Sequence, residues 1–457
     1  MSKVKSKFVC QVCGYESVRW FGRCPNCQSW NSFIEITEKK QGFNNRESKE
    51  NLGVYRLEDI LNYEPVRLKT GLTGFDYVIG GGIVEGEVIL LAGEPGIGKS
   101  TLLLQLAISL DKNDTRVLYI SAEESLSQVG LRLRRLNSGD KLNIDFVSER
   151  DIENILPNLE NSNYSLIIVD SIQTIYSSEF PTSPGNVVQV RECTSKLVDF
   201  AKKNNIAVIL VGHVTKEGDI AGPKILEHLV DAVLYLEGER YHDLRILRVI
   251  KNRFGPTNDF ILYEMKENGL FEVEDISAKV IENRNTNVSG SIIIPIMEGT
   301  KPLLIELQTL VSRTNTSYPR RITSGIDLNK LVLILAILEK KLNISFSDKD
   351  VFVNVVGGIK ISEPAIDLGL AFALLSALIN KPFPSDMVAI GEIGLGGEVR
   401  TVPHIERRLK EAKKFGFNKA LIPKDSKVKS YEYNMNVRTI TDIGEGIDLV
   451  WGEKWRS

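Results

Sequence analysis

Short apolar runs closed by polar or glycine-rich turns recur through the middle of this chain. Val88-Ile89-Leu90-Leu91, Val117-Leu118-Tyr119-Ile120, Leu166-Ile167-Ile168-Val169 and Ile206-Ala207-Val208-Ile209-Leu210-Val211 carry almost no polar position. Runs that are continuous rather than alternating predict strands covered on both faces, as in an α/β sheet. Leu102-Leu103-Leu104-Gln105-Leu106-Ala107 after the first run predicts a helix. A second α/β pattern begins near Gly290. It contains an apolar helix from Leu328 to Leu342, a strand from Asp350 to Val356, and another apolar helix from Ile366 to Leu378. A chain of 457 residues is long for one domain and suggests two or three. The pattern divides it into a cysteine-bearing segment over 1–37, a polar linker over 38–60, an α/β core over 61–275, a connector over 276–289 and a second α/β domain over 290–457.

The loop after the first run is Gly93-Glu94-Pro95-Gly96-Ile97-Gly98-Lys99-Ser100-Thr101, which fits G-x-x-x-x-G-K-[ST] between a strand and a helix. Glycines let backbone N–H groups turn inward around a polyphosphate, and the helix N-terminus adds positive charge. Lys99 is then placed for the β- and γ-phosphates and the Ser100 hydroxyl for Mg²⁺. The other runs also end in chemistry. Ala122-Glu123-Glu124-Ser125 puts acids beside the ligand crevice of such a sheet. Glu123 is the candidate for polarising the attacking water, with Glu124 as the alternative. Asp170 closes its strand as the second Mg²⁺-site acid, acting through water. His213 closes another and is a candidate γ-phosphate sensor. Two Gly- and Pro-containing segments, 177–186 and 216–224, follow the strands of Asp170 and His213, where they can couple nucleotide state to a polymer substrate. Lys251-Asn252-Arg253-Phe254-Gly255 feeds two cations into a turn, for a neighbour's nucleotide, for DNA phosphates, or as an ordinary solvated hairpin.

The first thirty residues hold four of the five cysteines, Cys10-x2-Cys13 and Cys24-x2-Cys27, separated by ten residues. Two such knuckles close a tetrahedral Zn²⁺ site with no open position for catalysis. The fifth, Cys193, falls inside an expected helix and reads as packing. Arg19 and Arg23 alternate with Trp20, Phe21 and Trp30, which suits either base stacking beside phosphates or a small aromatic core. The net charge of −2 means that any nucleic-acid contact is local. No run approaches the ~20 apolar residues of a membrane span, and the N-terminus lacks a signal-peptide core, so a cytoplasmic protein is expected.

Together the paired Cys-x2-Cys knuckles, the Gly-Glu-Pro-Gly-Ile-Gly-Lys-Ser loop, Asp170 and the Lys-Asn-Arg-Phe-Gly stretch resemble the bacterial RadA/Sms family of DNA-repair and recombination proteins over nearly the whole chain. The resemblance implies an N-terminal zinc ribbon followed by a RecA-type ATPase core. It implies hexameric rings that hydrolyse ATP to ADP at subunit interfaces, with single-stranded DNA bound centrally. Helicase-like branch migration of recombination intermediates would follow, alongside a recombinase filament and replication proteins. By the same resemblance Glu123 matches the catalytic acid, Lys251 and Arg253 match the family signature, and the two loops match DNA-facing loops. The alternative is an ATP-switched ring that loads or organises partners on DNA without unwinding it.

The last third resembles the peptidase domain of Lon proteases, through Gly391-Glu392-Ile393-Gly394 and Leu421-Ile422-Pro423-Lys424. The nucleophilic serine of that family falls at Ala365 and its lysine at Arg408. Alanine offers no nucleophile and a guanidinium stays protonated, so a proteolytically inactive scaffold is expected. Lys360 and Ser362 lie nearby in an order and spacing that do not rebuild the dyad. The basic run from Arg407 to Lys414, and the pair Arg320-Arg321, suit either a DNA-facing rim or a solvated surface.

Overall fold

The computed structural model describes residues 6–10, 15–37, 57, 65–136, 142–160, 162–213, 226–238, 243–257, 259–273, 275–282, 284–314, 318–357, 360–428 and 434–452. Cys13, the loop over 216–224 and all of the expected linker but Leu57 lie outside these residues. Two compact units form, 1–237 with 245–272 and 238–244 with 273–457.

In the first unit, β1 (Ser6–Cys10), β2 (Glu16–Ser17) and β3 (Phe33–Thr37) make a small antiparallel sheet in the order β2-β1-β3. Val9 of this ribbon packs against Val188 of the same unit. A short hairpin follows, of β4 (Arg67–Leu68) and β5 (Ile83–Val84), with helix α1 (Thr73–Val78) between its strands. The core then alternates strand and helix: β6 (Val88–Gly93), α2 (Lys99–Asp111), β7 (Val117–Ser121), α3 (Leu126–Leu136), β8 (Asp145–Val147), α4 (Ile152–Leu159), β9 (Leu166–Asp170), α5 (Val187–Asn204), β10 (Ala207–His213) and β11 (Ala232–Glu237). Strands β12 (Leu244–Asn252), β13 (Phe260–Lys266) and β14 (Gly269–Glu272) extend one edge. The nine-stranded order is β14-β13-β12-β11-β6-β10-β9-β7-β8, with β11 through β8 parallel.

The continuous apolar runs have their cause here. Every residue of β6 is buried, and the pleat sends alternate side chains to opposite faces. Val88, Leu90 and Ala92 join the core beneath α4 and α5, while Ile89 and Leu91 join the one beneath α1 and α2. Asn186 caps α5 by accepting from the Val188 N–H, which fixes where the segment after Asp170 re-enters a helix. Cys193 on α5 is fully buried and burial pushes its thiol up to about 12, as expected of a packing residue.

In the second unit, α6 (Ile276–Glu282) precedes β15 (Ser291–Glu298), β16 (Lys301–Arg313), β17 (Arg321–Ser324), α7 (Leu328–Leu342) and β18 (Lys349–Val355). The sheet order is β15-β16-β18-β17. Helix α8 (Asp367–Ile379) packs on β15 and β16, and the rings of Phe372, Phe383 and Trp451 cluster at its side. Strands β19 (Met387–Ala389), β22 (Lys419–Pro423) and β23 (Asn436–Ile440) form a parallel sheet, β20 (Glu392–Ile393) and β21 (Val399–Arg400) a hairpin. Helix α9 (Ile405–Lys414) lies before β22, and α10 (Ile443–Trp451) after β23. The stretch expected as a connector over 276–289 begins with α6 instead. Its Val280 is buried, and its Ser277 hydroxyl bridges Glu411 and the Leu304 N–H, contacts that a local polarity reading does not reveal.

Candidate nucleotide-hydrolysis site

Parallel strands all deliver their carboxyl ends to one edge of a sheet. Register pairs Gly93 with His213 and Ser121 with Asp170, so the loop, both acids and the histidine converge there. The loop needs its glycines. Gly98 has φ of +119°, and a Cβ on it would meet Met265 at 2.6 Å. Arg245, 5% exposed, donates from Nε to the Ile97 carbonyl at 3.1 Å and so braces the loop from β12.

Lys99 is buried, and its Nζ donates to the carbonyls of Gly93 (2.8 Å) and Glu94 (3.0 Å). Burial lowers its pKa to about 8, against the charges of Asp170, Glu123 and Glu94. Asp170 accepts from the Tyr119 hydroxyl at 2.6 Å, which fixes its rotamer from the neighbouring strand. The backbone carbonyl of Asp170 accepts from the Ala122 N–H and, more weakly, the Glu123 N–H, tying the two strand ends together.

The two acids after β7 differ. Glu124 is bound by both terminal nitrogens of Arg132 on α3, at 2.7 and 2.8 Å. Glu123 instead meets His213 Nε2 at 2.9 Å. Burial opposes ionisation of Glu123, but the His213 contact and the Lys99 charge outweigh it and hold its pKa below the ordinary carboxyl value. Among the described residues, His213 Nδ1 and Gln173 Oε1 are buried without a hydrogen-bond partner beside this cluster. The Lys99 ammonium can donate to a triphosphate, while the oxygens of Asp170 and Gln173 accept and so suit Mg²⁺ and its waters.

Lys251 and Arg253 do not join this cluster in the same chain. β12 runs antiparallel to β11, and Asn252 pairs with Ala232, which pairs with Ile89 at the start of β6. Four residue steps along β6 separate that level from Gly93, roughly 13 Å at about 3.3 Å per residue. The signature turn is embedded there. Asn252 Nδ2 donates to the Ile79 carbonyl, and Arg67 Nη2 to the Phe254 carbonyl. Gly80 and Gly255 approach so closely that a Cβ on Gly80 would sit 2.9 Å from the Gly255 Cα.

In the ribbon the sulfurs of Cys10, Cys24 and Cys27 lie within 4.8 Å of one another, a spacing that suits three ligands of one Zn²⁺. The aromatics divide. Phe33 is buried with Tyr15 and Phe21 against it, while Trp20 and Trp30 are 54% and 71% exposed, with the Arg23 guanidinium over the Trp30 ring.

The KaiC ATPase family profile matches residues 68–277, a rubredoxin metal-binding domain matches 8–35, and the ChlI subunit of Mg-chelatase matches 333–426. The DNA repair protein RadA of Halalkalibacterium halodurans is 47% identical over 93% of this chain and 93% of its own length. That of Bacillus subtilis is 47% identical over the same shares. That of Aquifex aeolicus is 46% identical over 99% of this chain and all of its own. This chain belongs to the RadA family of DNA repair proteins. The RadB recombinase structure covers 45% of the chain at 24% identity with a TM-score of 0.37. The zinc ribbon, RecA-like ATPase core and Lon-like C-terminal domain expected from the sequence are present, the last matching as a ChlI/Lon-like domain.

The ChlI/Lon-like unit of this RadA-family chain brings Ala365 and Arg408 into one buried cluster. Ala365 is 1% exposed in a 3-10 turn, Pro364–Ile366. Arg408 is equally buried, and it grips both oxygens of Glu363 at 2.9 and 2.7 Å and the carbonyls of Pro295 and Pro403. Arg408 is therefore neither on a DNA-facing rim nor on a solvated face. Its neighbours also have local partners: Arg407 donates to the Thr300 carbonyl, Lys413 to Asn418, and Lys414 to Asp275. Arg320 pairs with Asp350, and Arg321 donates to the carbonyls of Lys349 and Phe346. No helix of the described residues is long and apolar enough to cross a membrane.

Sequence reasoning missed Tyr119, Arg132, Gln173 and Arg245. Gln173, a polar residue three positions beyond the strand-end acid Asp170, had a local signal. Tyr119 acts across 51 residues and Arg245 across 148, and neither had one; Arg132 reaches Glu124 from eight positions along, once α3 forms.

Proposed function

We propose that this chain is a DNA-dependent ATPase and helicase-like motor. It binds single-stranded DNA and promotes branch migration of recombination intermediates. It works in the cytoplasm as a homo-oligomeric, hexameric ring, with a recombinase filament and replication proteins as partners. The observation that carries the hydrolytic reading is the 2.9 Å contact between Glu123 and His213 beside the buried Lys99.

An ionised Glu123 accepts the proton of the attacking water, and His213 holds its carboxylate in place. Glu124 is committed to Arg132 and is less free for that task. Lys99, Ser100 and the N–H groups of the loop hold the phosphates. Ser100 and, through water, Asp170 would hold Mg²⁺, which when bound offsets charge on the phosphoryl oxygens. His213 senses the γ-phosphate, and Gln173 Nε2 donates to the His213 carbonyl. Lys251 and Arg253, remote from their own loop, complete the site of a neighbouring subunit. The exposed Trp20 and Trp30 offer ring faces to unpaired bases. Cys10, Cys13, Cys24 and Cys27 hold Zn²⁺. Ala365 and Arg408 support a scaffold role, without peptide hydrolysis, for the second unit.

A forked-duplex assay with ATP and Mg²⁺ tests the motor reading. Strand separation that requires hydrolysis supports it. DNA-stimulated hydrolysis without strand separation would replace it with the ATP-switched scaffold.

A further inference from the structure

Asp231 immediately precedes β11, and its side chain is only 4% exposed. One carboxylate oxygen accepts from the N–H of Val88, the first residue of β6, at 3.1 Å. The other accepts from Arg253 Nη1 at 2.9 Å, and the Arg253 backbone N–H donates to the Asp231 carbonyl at 3.1 Å. Lys251 Nζ donates to the carbonyls of Glu227 and Val230 at 2.6 and 2.7 Å. Residues 227–231 thus seat both cations of the signature turn. Lys202 Nζ also reaches Asp231, but at 4.0 Å and from an exposed side chain. The Arg253 side chain remains 49% exposed, so it is held on one side and open on the other.

A long side chain held by one buried carboxylate loses most of its rotamers while keeping its outward N–H groups. We propose that Asp231 is a positioning residue for hydrolysis. It fixes the Arg253 guanidinium so that its remaining N–H groups meet the phosphates of a nucleotide on the next subunit. This rests on the reading that Arg253 acts across a subunit interface. Asp231 itself touches no substrate. Because it also anchors Val88, it references the arginine to the strand whose far end carries the phosphate loop.

The experiment uses the full chain with single-stranded DNA and compares wild type, Asp231→Asn, Arg253→Ala and the double variant. Asparagine keeps the size of the side chain and one acceptor for Val88, but loses the charge facing Arg253. Asp231→Asn should lower kcat about tenfold or more, with nucleotide Kd within about threefold of wild type. The double variant should be no slower than Arg253→Ala alone. Mixing Asp231→Asn subunits with Lys99→Ala subunits should restore part of the activity, as mixing Arg253→Ala with Lys99→Ala subunits does. A merely structural role would move neither the non-additivity nor the rescue. If Arg253→Ala is slow while Asp231→Asn keeps wild-type kcat, if the losses multiply, or if only the Arg253→Ala mixture is rescued, the Asp231 inference is overturned. If Arg253→Ala itself keeps full kcat, it is the interface reading that fails, and the inference with it. Asp231→Ser, which keeps a hydroxyl near Val88 without the charge or reach for Arg253, serves if Asp231→Asn unfolds. Unfolding of both would make Asp231 structural and end the proposal.

Discussion

Replacing Glu87 by glutamine probes a charge buried at the foot of the central strand. Glu87 is 1% exposed. Its Oε2 accepts from the Val84 N–H at 2.8 Å, while Oε1 is buried without a partner among the described residues. Burial, helped by the charge of Asp231 and opposed by the Val84 hydrogen bond, raises its pKa from 4.5 to about 7. A raised carboxyl pKa means that the folded state favours the protonated form. Below about pH 4.5 both states hold the proton, and Glu87 carries no penalty. As pH rises towards 7 the unfolded chain gains by releasing it, and folding loses ~1.4 kcal/mol per pH unit, to ~3 kcal/mol above pH 7. Glutamine is neutral at every pH, keeps an acceptor for Val84, and places an amide where an anionic oxygen faced the field of Asp231. The stability of Glu87→Gln relative to wild type should therefore grow by ~2 kcal/mol between about pH 5.5 and about pH 8. Urea melts of both proteins across that range measure the difference, and the pH dependence of every other group cancels in the comparison. A difference that stays constant with pH, or a variant less stable than wild type at pH 8, would refute the reasoning.

The other predictions concern the site, the second unit and the ribbon. Lys99 loses its charge above about pH 8, so nucleotide Kd should weaken ~5-fold from pH 8 to pH 9. Lys99→Arg should flatten that profile in a fluorescent-nucleotide titration, and an unchanged wild-type Kd would contradict the buried-lysine argument. Glu123→Gln should lower kcat by ~10²- to 10⁴-fold while still binding nucleotide, whereas Glu124→Gln should retain most activity; steady-state ATPase assays giving the reverse order would exchange their roles. Ala365→Ser should yield no peptidase activity on unfolded protein substrates, because a guanidinium at 408 offers no general base. Arg408→Ala should cost about 3–5 kcal/mol in denaturant melts by stranding Glu363, and a near-neutral effect would show that the pair is not structural. Metal analysis should find one Zn²⁺ per chain, lost in Cys27→Ala with the ATPase melt unchanged; absence of zinc from wild type would sink the assignment.

Much of the ATPase fold and of its site was legible because the signals are local. A continuous apolar run predicts a strand buried on both faces, and each such run here leads into a residue proposed for the site. Gly93 to Thr101, Asp170 and His213 could therefore be named without knowing which strand lies beside which. Helix α7 coincides with the apolar stretch from Leu328 to Leu342 for the same reason. Strand order and register decided the rest. They separate Glu123 from Glu124, because only the fold brings His213 to one and Arg132 to the other. They put Lys251 and Arg253 at the opposite end of β6 from their own phosphate loop. They also bury Arg408, which sits in a run of basic residues that reads as surface, because its partner Glu363 lies 45 positions earlier. Composition and periodicity act between neighbours along the chain. The partner that neutralises a charge, holds a rotamer or braces a loop comes from wherever the sheet and its crossovers deliver it, and only the tertiary structure decides that.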